Sequence, residues 1–172
     1  MNRVREELAG GDRRSIGQAN KVAAQVLENP ALFGSVFEGL LSDDPVLRMR
    51  CADVMEKVTR VRPEFLAPYK RRLLREIAKI DQQEVRWHVA QVFSRLELTR
   101  AERRAAVEIL TGYLDDKSKI VKTFSMQALA DIAEQDAALK PAIMVLLESL
   151  TETGSPAMKS RGRKLLAKLK WR

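Results

Sequence analysis

One helical pattern recurs five times along this chain, and that recurrence constrains its fold more than any other feature. Aligned on a small or slender residue, the anchor column reads Ala19, Cys51, Val89, Ser125 and Gly162. Three positions later stand Val22, Val54, Val92, Ala128 and Leu165; four later, Ala23, Met55, Phe93, Leu129 and Leu166. Seven later come Val26, Val58, Leu96, Ile132 and Leu169, and four before the anchor Ser15, Leu47, Val85, Val121 and Met158. Apolar residues at this spacing lie along one face of an α-helix, so five helices are expected to share one buried face. The anchors are 32, 38, 36 and 37 residues apart, inside the range of two-helix solenoid units.

Between the repeated helices the sequence predicts partner helices with marked ends. Pro30 and Pro63 suit first helical positions, where a missing N–H costs nothing, ahead of Leu32–Leu40 and Phe65–Leu73. Thr99 with Glu102 reads as a capping box opening a helix from Ala101 to Leu114. Asp136 is expected to cap the helix that carries Leu139, Ile143, Leu146, Leu147 and Leu150, with Pro141 in its first turns. The turns back into the repeated helices are Ser42-Asp43-Asp44-Pro45, Asp81-Gln82-Gln83, Asp115-Asp116 and Ser155-Pro156. Gly10-Gly11 interrupts the first unit and leaves Asn2 to Ala9 as a short leading helix. No stretch carries the alternation or two-residue turn of a hairpin, so the fold class is all-α.

With 45% hydrophobic and 31% charged residues the chain has a globular composition. The charged start, and the lack of any apolar run near 18 residues, argue against a secretory leader or a membrane span. The expected location is the cytoplasm. Cys51 is the sole cysteine and sits in the anchor column, which marks it as a packing residue. The net charge of +8 is concentrated: residues 155–172 hold seven basic residues and no acid, leaving 24 basic and 23 acidic residues in 1–154.

The string Asp43-Asp44-Pro45-Val46-Leu47-Arg48-Met49-Arg50-Cys51-Ala52-Asp53-Val54-Met55 resembles the turn and second helix of HEAT repeats. Glu84 to Ala90 and Ile120 to Ala130 repeat it. The resemblance covers nearly the whole chain and implies a right-handed α-solenoid of about five helical hairpins, about ten helices, forming a single domain over 1–172. Its units would be an atypical N-terminal unit 1–41, repeats at about 42–80, 81–114 and 115–151, and a basic capping helix 155–172. HEAT proteins generally act as binding scaffolds whose second helices line a concave surface, so the resemblance implies capture of a protein or peptide there.

On a helical wheel the position two before the anchor points away from the core columns: Gly17, Met49, Trp87, Thr123 and Ser160. Two after it come Lys21, Asp53, Gln91, Gln127 and Lys164. Trp87 is the natural anchor for a partner, since aromatic residues supply much of the energy at binding hot spots; the alternative is that it tilts into the next repeat and fills space. The expected partner-binding set is Met49, Arg50, Asp53, Trp87, His88, Gln91, Thr123 and Gln127. Arg48, Arg86, Lys122 and Lys159 form a row of cations three before the anchor. The row could track an anion, or pair with Asp43 or Asp44, Asp81, and Asp115 or Asp116. Candidate anion-binding residues on the last helix are Lys159, Arg161, Arg163, Lys164 and Lys168. A second basic cluster, Arg60 to Arg62 with Lys70 to Arg72 and Arg75, is expected to be solvated, partly offset by Glu64 and Glu76.

Catalysis is poorly supported. His88 is the sole histidine, which excludes a histidine-rich metal site, and no Gly-rich phosphate loop or dinucleotide fingerprint is present. The repeated His-Glu pairs of deoxyhypusine hydroxylases are absent. HEAT-like alkylpurine DNA glycosylases offer a remote alternative in which Trp87 and Asp53 would play the groove aromatic and the acid; Trp171 is the one other tryptophan. The expectation is a non-catalytic binding scaffold needing no cofactor. The runner-up is nucleic-acid binding through the basic last helix and the cation row, and the third possibility a structural role in a larger assembly.

Overall fold

The computed structural model describes residues 3–170, and within them every regular element is helical: ten α-helices and three 3₁₀ segments. The chain forms two compact units, Met1–Leu96 and Glu97–Arg172.

The N-terminal unit holds α1 (Arg3–Leu8), α2 (Ala19–Glu28), α3 (Phe33–Gly39), α4 (Pro45–Val61), α5 (Lys70–Arg75) and α6 (Gln83–Phe93). The helix α4 starts sharply because Asp44 accepts a hydrogen bond from the Val46 N–H at 2.8 Å and Pro45 opens the first turn. It packs against α1, α2, α3 and α6, and a helix so surrounded needs more than one apolar stripe. It accordingly buries Met49, Arg50, Glu56 and Thr59 as well as the anchor-face residues Leu47, Cys51, Val54, Met55 and Val58.

The partner segments of this unit differ from the expected continuous helices. Pro30–Leu32 is a 3₁₀ turn, and Pro63–Tyr69 is a 3₁₀ helix that becomes α-helical at Lys70 alone. Pro68 supplies the reason in the second case: it has no N–H to donate, and its ring crowds the preceding turn. Packing holds the segment, as Phe33 meets both Phe65 and Tyr69, and Phe37 meets Tyr69 at 4.5 Å between ring centroids.

The C-terminal unit holds α7 (Arg100–Tyr113), α8 (Lys119–Gln135), α9 (Lys140–Thr153) and α10 (Pro156–Lys170). The Thr99 and Glu102 capping box forms with both of its hydrogen bonds. Asp136 does not cap α9. It ends α8, accepts from the Ala138 N–H at 3.1 Å, and binds the Arg103 guanidinium at 3.0 Å, while α9 begins only at Lys140. The cap of α8 is Ser118, one turn residue beyond the two aspartates, and Asp116 in turn accepts from the Ser118 N–H. α8 packs against α7, α9 and α10, and α10 buries Met158, Gly162, Leu165, Leu166 and Leu169 against α8 and α9.

The anchor column is a column of close approaches. Ala19, Cys51, Val89 and Ser125 are completely buried. A methyl group placed on Gly39 of α3 would run into the Cys51 sulfur, and one on Gly162 would overlap Thr151 Oγ1 and sit 3.0 Å from Thr151 Cβ. Small residues recur there because paired helices nearly touch.

Candidate functional site

The expected partner-binding residues of the N-terminal unit fall into three groups once their contacts are known. Met49 is 6% exposed, so it is a core residue and no part of an outward stripe. The reason is the burial of α4 on several sides, which moves the core boundary past the position two before the anchor.

Arg50 is also internal, at 4% exposure. Its guanidinium is the post around which the loop between α1 and α2 is wrapped. Nη1 donates to the Leu8 and Gly10 carbonyls at 2.9 and 2.6 Å, Nε to Ser15 at 3.1 Å, and Nη2 to Asp12 at 3.3 Å. Gly11 and Gly17 carry positive φ, +78° and +52°, and a Cβ at Gly17 would lie 2.8 Å from the guanidinium carbon. Glycine is therefore required at Gly17 both for its backbone conformation and for the close approach. A planar fork with several donors suits an array of carbonyls that no point charge could satisfy.

The third group forms a polar surface strip on α2, α4 and α6, which lie side by side. Lys57 Nζ donates to Asn20 of α2 and to Asp53, both at 2.6 Å. His88 of α6 lies 4.0 Å from Asp53, and its Nδ1 is 3.2 Å from Gln91 Oε1. Burial pushes the His88 imidazole below its ordinary pKa, outweighing the opposite pull of Asp53 and Glu56. Trp87 stands beside this cluster, half-buried, its ring edge-on to His88 at 5.7 Å between centroids. The indole N–H donates to no group of the described chain, whereas Asp53, Lys57, His88 and Gln91 all have partners within it.

In the C-terminal unit Thr123 bonds back to the Lys119 and Ile120 carbonyls of its own helix. Gln127 donates to Asp131 at 3.0 Å and accepts from Arg161 of α10 at 2.8 Å. The sequence did not disclose that, within each unit, a residue just before the anchor approaches the residue two after the anchor on the preceding repeated helix: His88 lies 4.0 Å from Asp53, and Arg161 donates to Gln127 at 2.8 Å.

The cations divide in the same way. Arg48 binds the Ser42 carbonyl and Gln82 rather than Asp43 or Asp44, and Gln82 continues to the Pro45 carbonyl. Arg86 does pair with Asp81, at 3.0 Å. On α10 Arg161 is held by Gln127, and Lys168 by Glu134 at 2.8 Å and Asp131 at 3.5 Å; both are internal links rather than open anion sites. Lys159, Arg163 and Lys164 make no ion pair among the described residues, and Trp171 and Arg172 lie outside them. The second basic cluster is largely engaged: Arg60 with Glu56, Arg62 with Glu64, Arg72 with Glu38 and Glu76.

Two clusters escaped the sequence reading. Glu56 is 2% exposed and binds Arg60 Nη2 at 2.6 Å and the Arg95 guanidinium, tying α4 to the end of α6. Burial alone would raise its carboxyl pKa, but the two arginines outweigh it and hold the group below its ordinary value. The spacing of Glu56 to Arg60 was a readable signal for half of this cluster. The other is Lys117, Lys119 and Lys122 around the start of α8. Burial pushes the Cys51 thiol up to about 12, so it is no nucleophile. Among the described residues no set of three or more His, Cys, Asp or Glu side chains could hold a metal, and no helix is long and apolar enough to cross a membrane. No family model matches the sequence, and no curated protein is similar to it at a level that marks a relative.

Proposed function

We propose that the hairpins are HEAT-like repeats stacked with a right-handed sense, and that the chain is a non-catalytic scaffold that captures a segment of another protein. The capture surface is the strip on α2, α4 and α6, with Trp87 as its anchor. The observation that carries this reading is the state of Trp87: half-buried, with an indole N–H that no described residue accepts, amid neighbours that are already held in place. A large ring on a prearranged surface loses little freedom on binding and offers both apolar area and one directional donor. Asp53, His88 and Gln91 then serve as a rigid polar frame around it.

Nucleic-acid binding through α10 is the second reading. It retains Lys159, Arg163 and Lys164, but the tethering of Arg161, Lys168 and Lys170 to Gln127, Glu134 and Glu148 weakens it.

The test compares affinity purification from the native source using the unaltered chain, Trp87→Ala and, as a surface control, Lys79→Ala. The expected result is loss of a specific partner with Trp87→Ala alone, with helicity by circular dichroism unchanged. An identical partner set for all three proteins would refute the reading.

A further inference from the structure

In the C-terminal unit the start of α8, the end of α9 and the start of α10 border an open cavity of about 350 Å³. Lys117, Lys119 and Lys122 line it together with the apolar side chains of Leu114, Leu150 and Met158. None of the three ammonium groups makes an ion pair or hydrogen bond within the described chain, in contrast to Lys57, Lys168 and Lys170. Asp115, Asp116 and Glu152 are near in sequence, yet no carboxylate lines the cavity, and Asp116 is turned onto the Ser118 N–H at 2.7 Å.

Three like charges around one small space repel one another, and no described carboxylate forms an ion pair with them. The backbone contributes both signs, since the ends of α7 and α9 at Leu114 and Gly154 also border the cavity. Lys119 and Lys122 lie in the first turns of α8, and Gly154 and Ser155 lead into α10, so two helix starts with their partial positive charge border the cavity. The hydroxyl groups of Thr153 and Ser155 border it as well. The volume is at the small end of the roughly 300–1,000 Å³ typical of small-molecule pockets and exceeds what a bare anion needs.

We infer that this cavity binds a small phosphomonoester, its phosphate held by Lys117, Lys119 and Lys122 and its organic body resting on Leu114, Leu150 and Met158. Phosphate satisfies the site because it accepts several charge-assisted hydrogen bonds at once and carries up to two negative charges. The inference is independent of the capture surface around Trp87, and a failure of either leaves the other standing.

The experiment titrates the full chain with inorganic phosphate and with glycerol phosphate, at ionic strength held constant with chloride, and follows backbone amide NMR shifts. Saturable shifts are expected at Lys119 to Lys122 and at Ala157 and Met158. Lys122→Gln should weaken glycerol phosphate binding about tenfold, the fold-change for losing one charge-assisted hydrogen bond. Lys122→Arg should retain most of it. Lys164→Gln, which removes the same charge from the exposed face of α10, should have no effect. Tighter binding of glycerol phosphate than of inorganic phosphate supports the monoester, and equal binding overturns the role given to the apolar residues. Absence of saturable shifts overturns the site altogether, as does an equal loss in Lys164→Gln. Binding of an oligonucleotide at these lysines without any binding of glycerol phosphate would overturn it in favour of a nucleic acid.

Discussion

Replacing Arg50 by Met tests whether one guanidinium holds the loop between α1 and α2. The side chain keeps much of its aliphatic stem, so the loss is confined to the polar head. Three of the hydrogen bonds are short, those to Leu8, Gly10 and Ser15 at 2.9, 2.6 and 3.1 Å, and those to Ala9 and Asp12 are longer at 3.4 and 3.3 Å. A hydrogen bond from a charged donor contributes about 1.5–3 kcal/mol. The three short ones would then sum to roughly 5–9 kcal/mol if their carbonyls stayed dry. Two of them do not stay dry, because residues 10–18 are exposed and the Gly10 and Ser15 carbonyls can turn to water, while the Leu8 carbonyl stays buried. A net loss of about 2–4 kcal/mol is therefore expected, at the upper end for a single substitution. Urea unfolding followed by circular dichroism measures it, and trypsin cleavage after Arg13 and Arg14 reports on the loop itself. Arg50→Lys should recover little, since an ammonium cannot span the same carbonyls. A loss under about 0.5 kcal/mol with unchanged cleavage would refute the role assigned to Arg50.

Gly162→Ala should gain about 1 kcal/mol of helix propensity, but it drives a methyl into Thr151 of α9 and should on balance destabilise by about 1 kcal/mol. The double variant with Thr151→Ala should recover part of this in the same unfolding assay, and a stabilised single variant would contradict the close packing. Glu56 governs an acid-side loss. Its folded pKa lies below the unfolded one, so its contribution is full above about pH 4.3 and disappears as pH falls through the folded value. Glu56→Gln should be less stable at neutral pH and show a shallower acid-side decline, and parallel stability curves for the two proteins would refute this.

What could be read from the sequence was what depends on neighbours along the chain. The apolar columns gave all-helical structure, and the Thr99 capping box formed as read, because its partners are three residues apart. The small-residue column was also visible, although the cause, contacts such as Gly39 with Cys51 across a hairpin, was not. Failures came where distant segments decide. Met49 looked outward on an isolated wheel and Arg50 was expected in the partner-binding set, but α4 is enclosed by four other helices, and Arg50 finds its acceptors about 40 residues upstream. Pro68 is a helix breaker visible in the sequence, and the helix expected over Phe65–Leu73 took no account of it. Lys117 and Lys119 were passed over because only Lys122 falls in the repeated cation column; Lys117 belongs to the turn and Lys119 opens α8.

The approach of α6 to α4 and of α10 to α8 through polar side chains also changes how such a surface should be searched for function. A charged or amide side chain at a recurrent position is first of all a structural link, as His88 with Asp53 and Arg161 with Gln127 illustrate. Recurrence of such a pairing argues against a specific role, because it serves to hold neighbouring helices together. The informative residues are those at which the recurrent scheme leaves a polar group without a partner. Trp87 occupies a column otherwise filled by glycine, methionine, threonine and serine. Lys122 occupies the column in which Arg48 and Arg86 are both bound by turn carbonyls, yet it binds none. If the links are what selection holds constant for folding, the departures at Trp87 and Lys122 are where a demand from outside the chain acts. Each is then better replaced singly than along with its column.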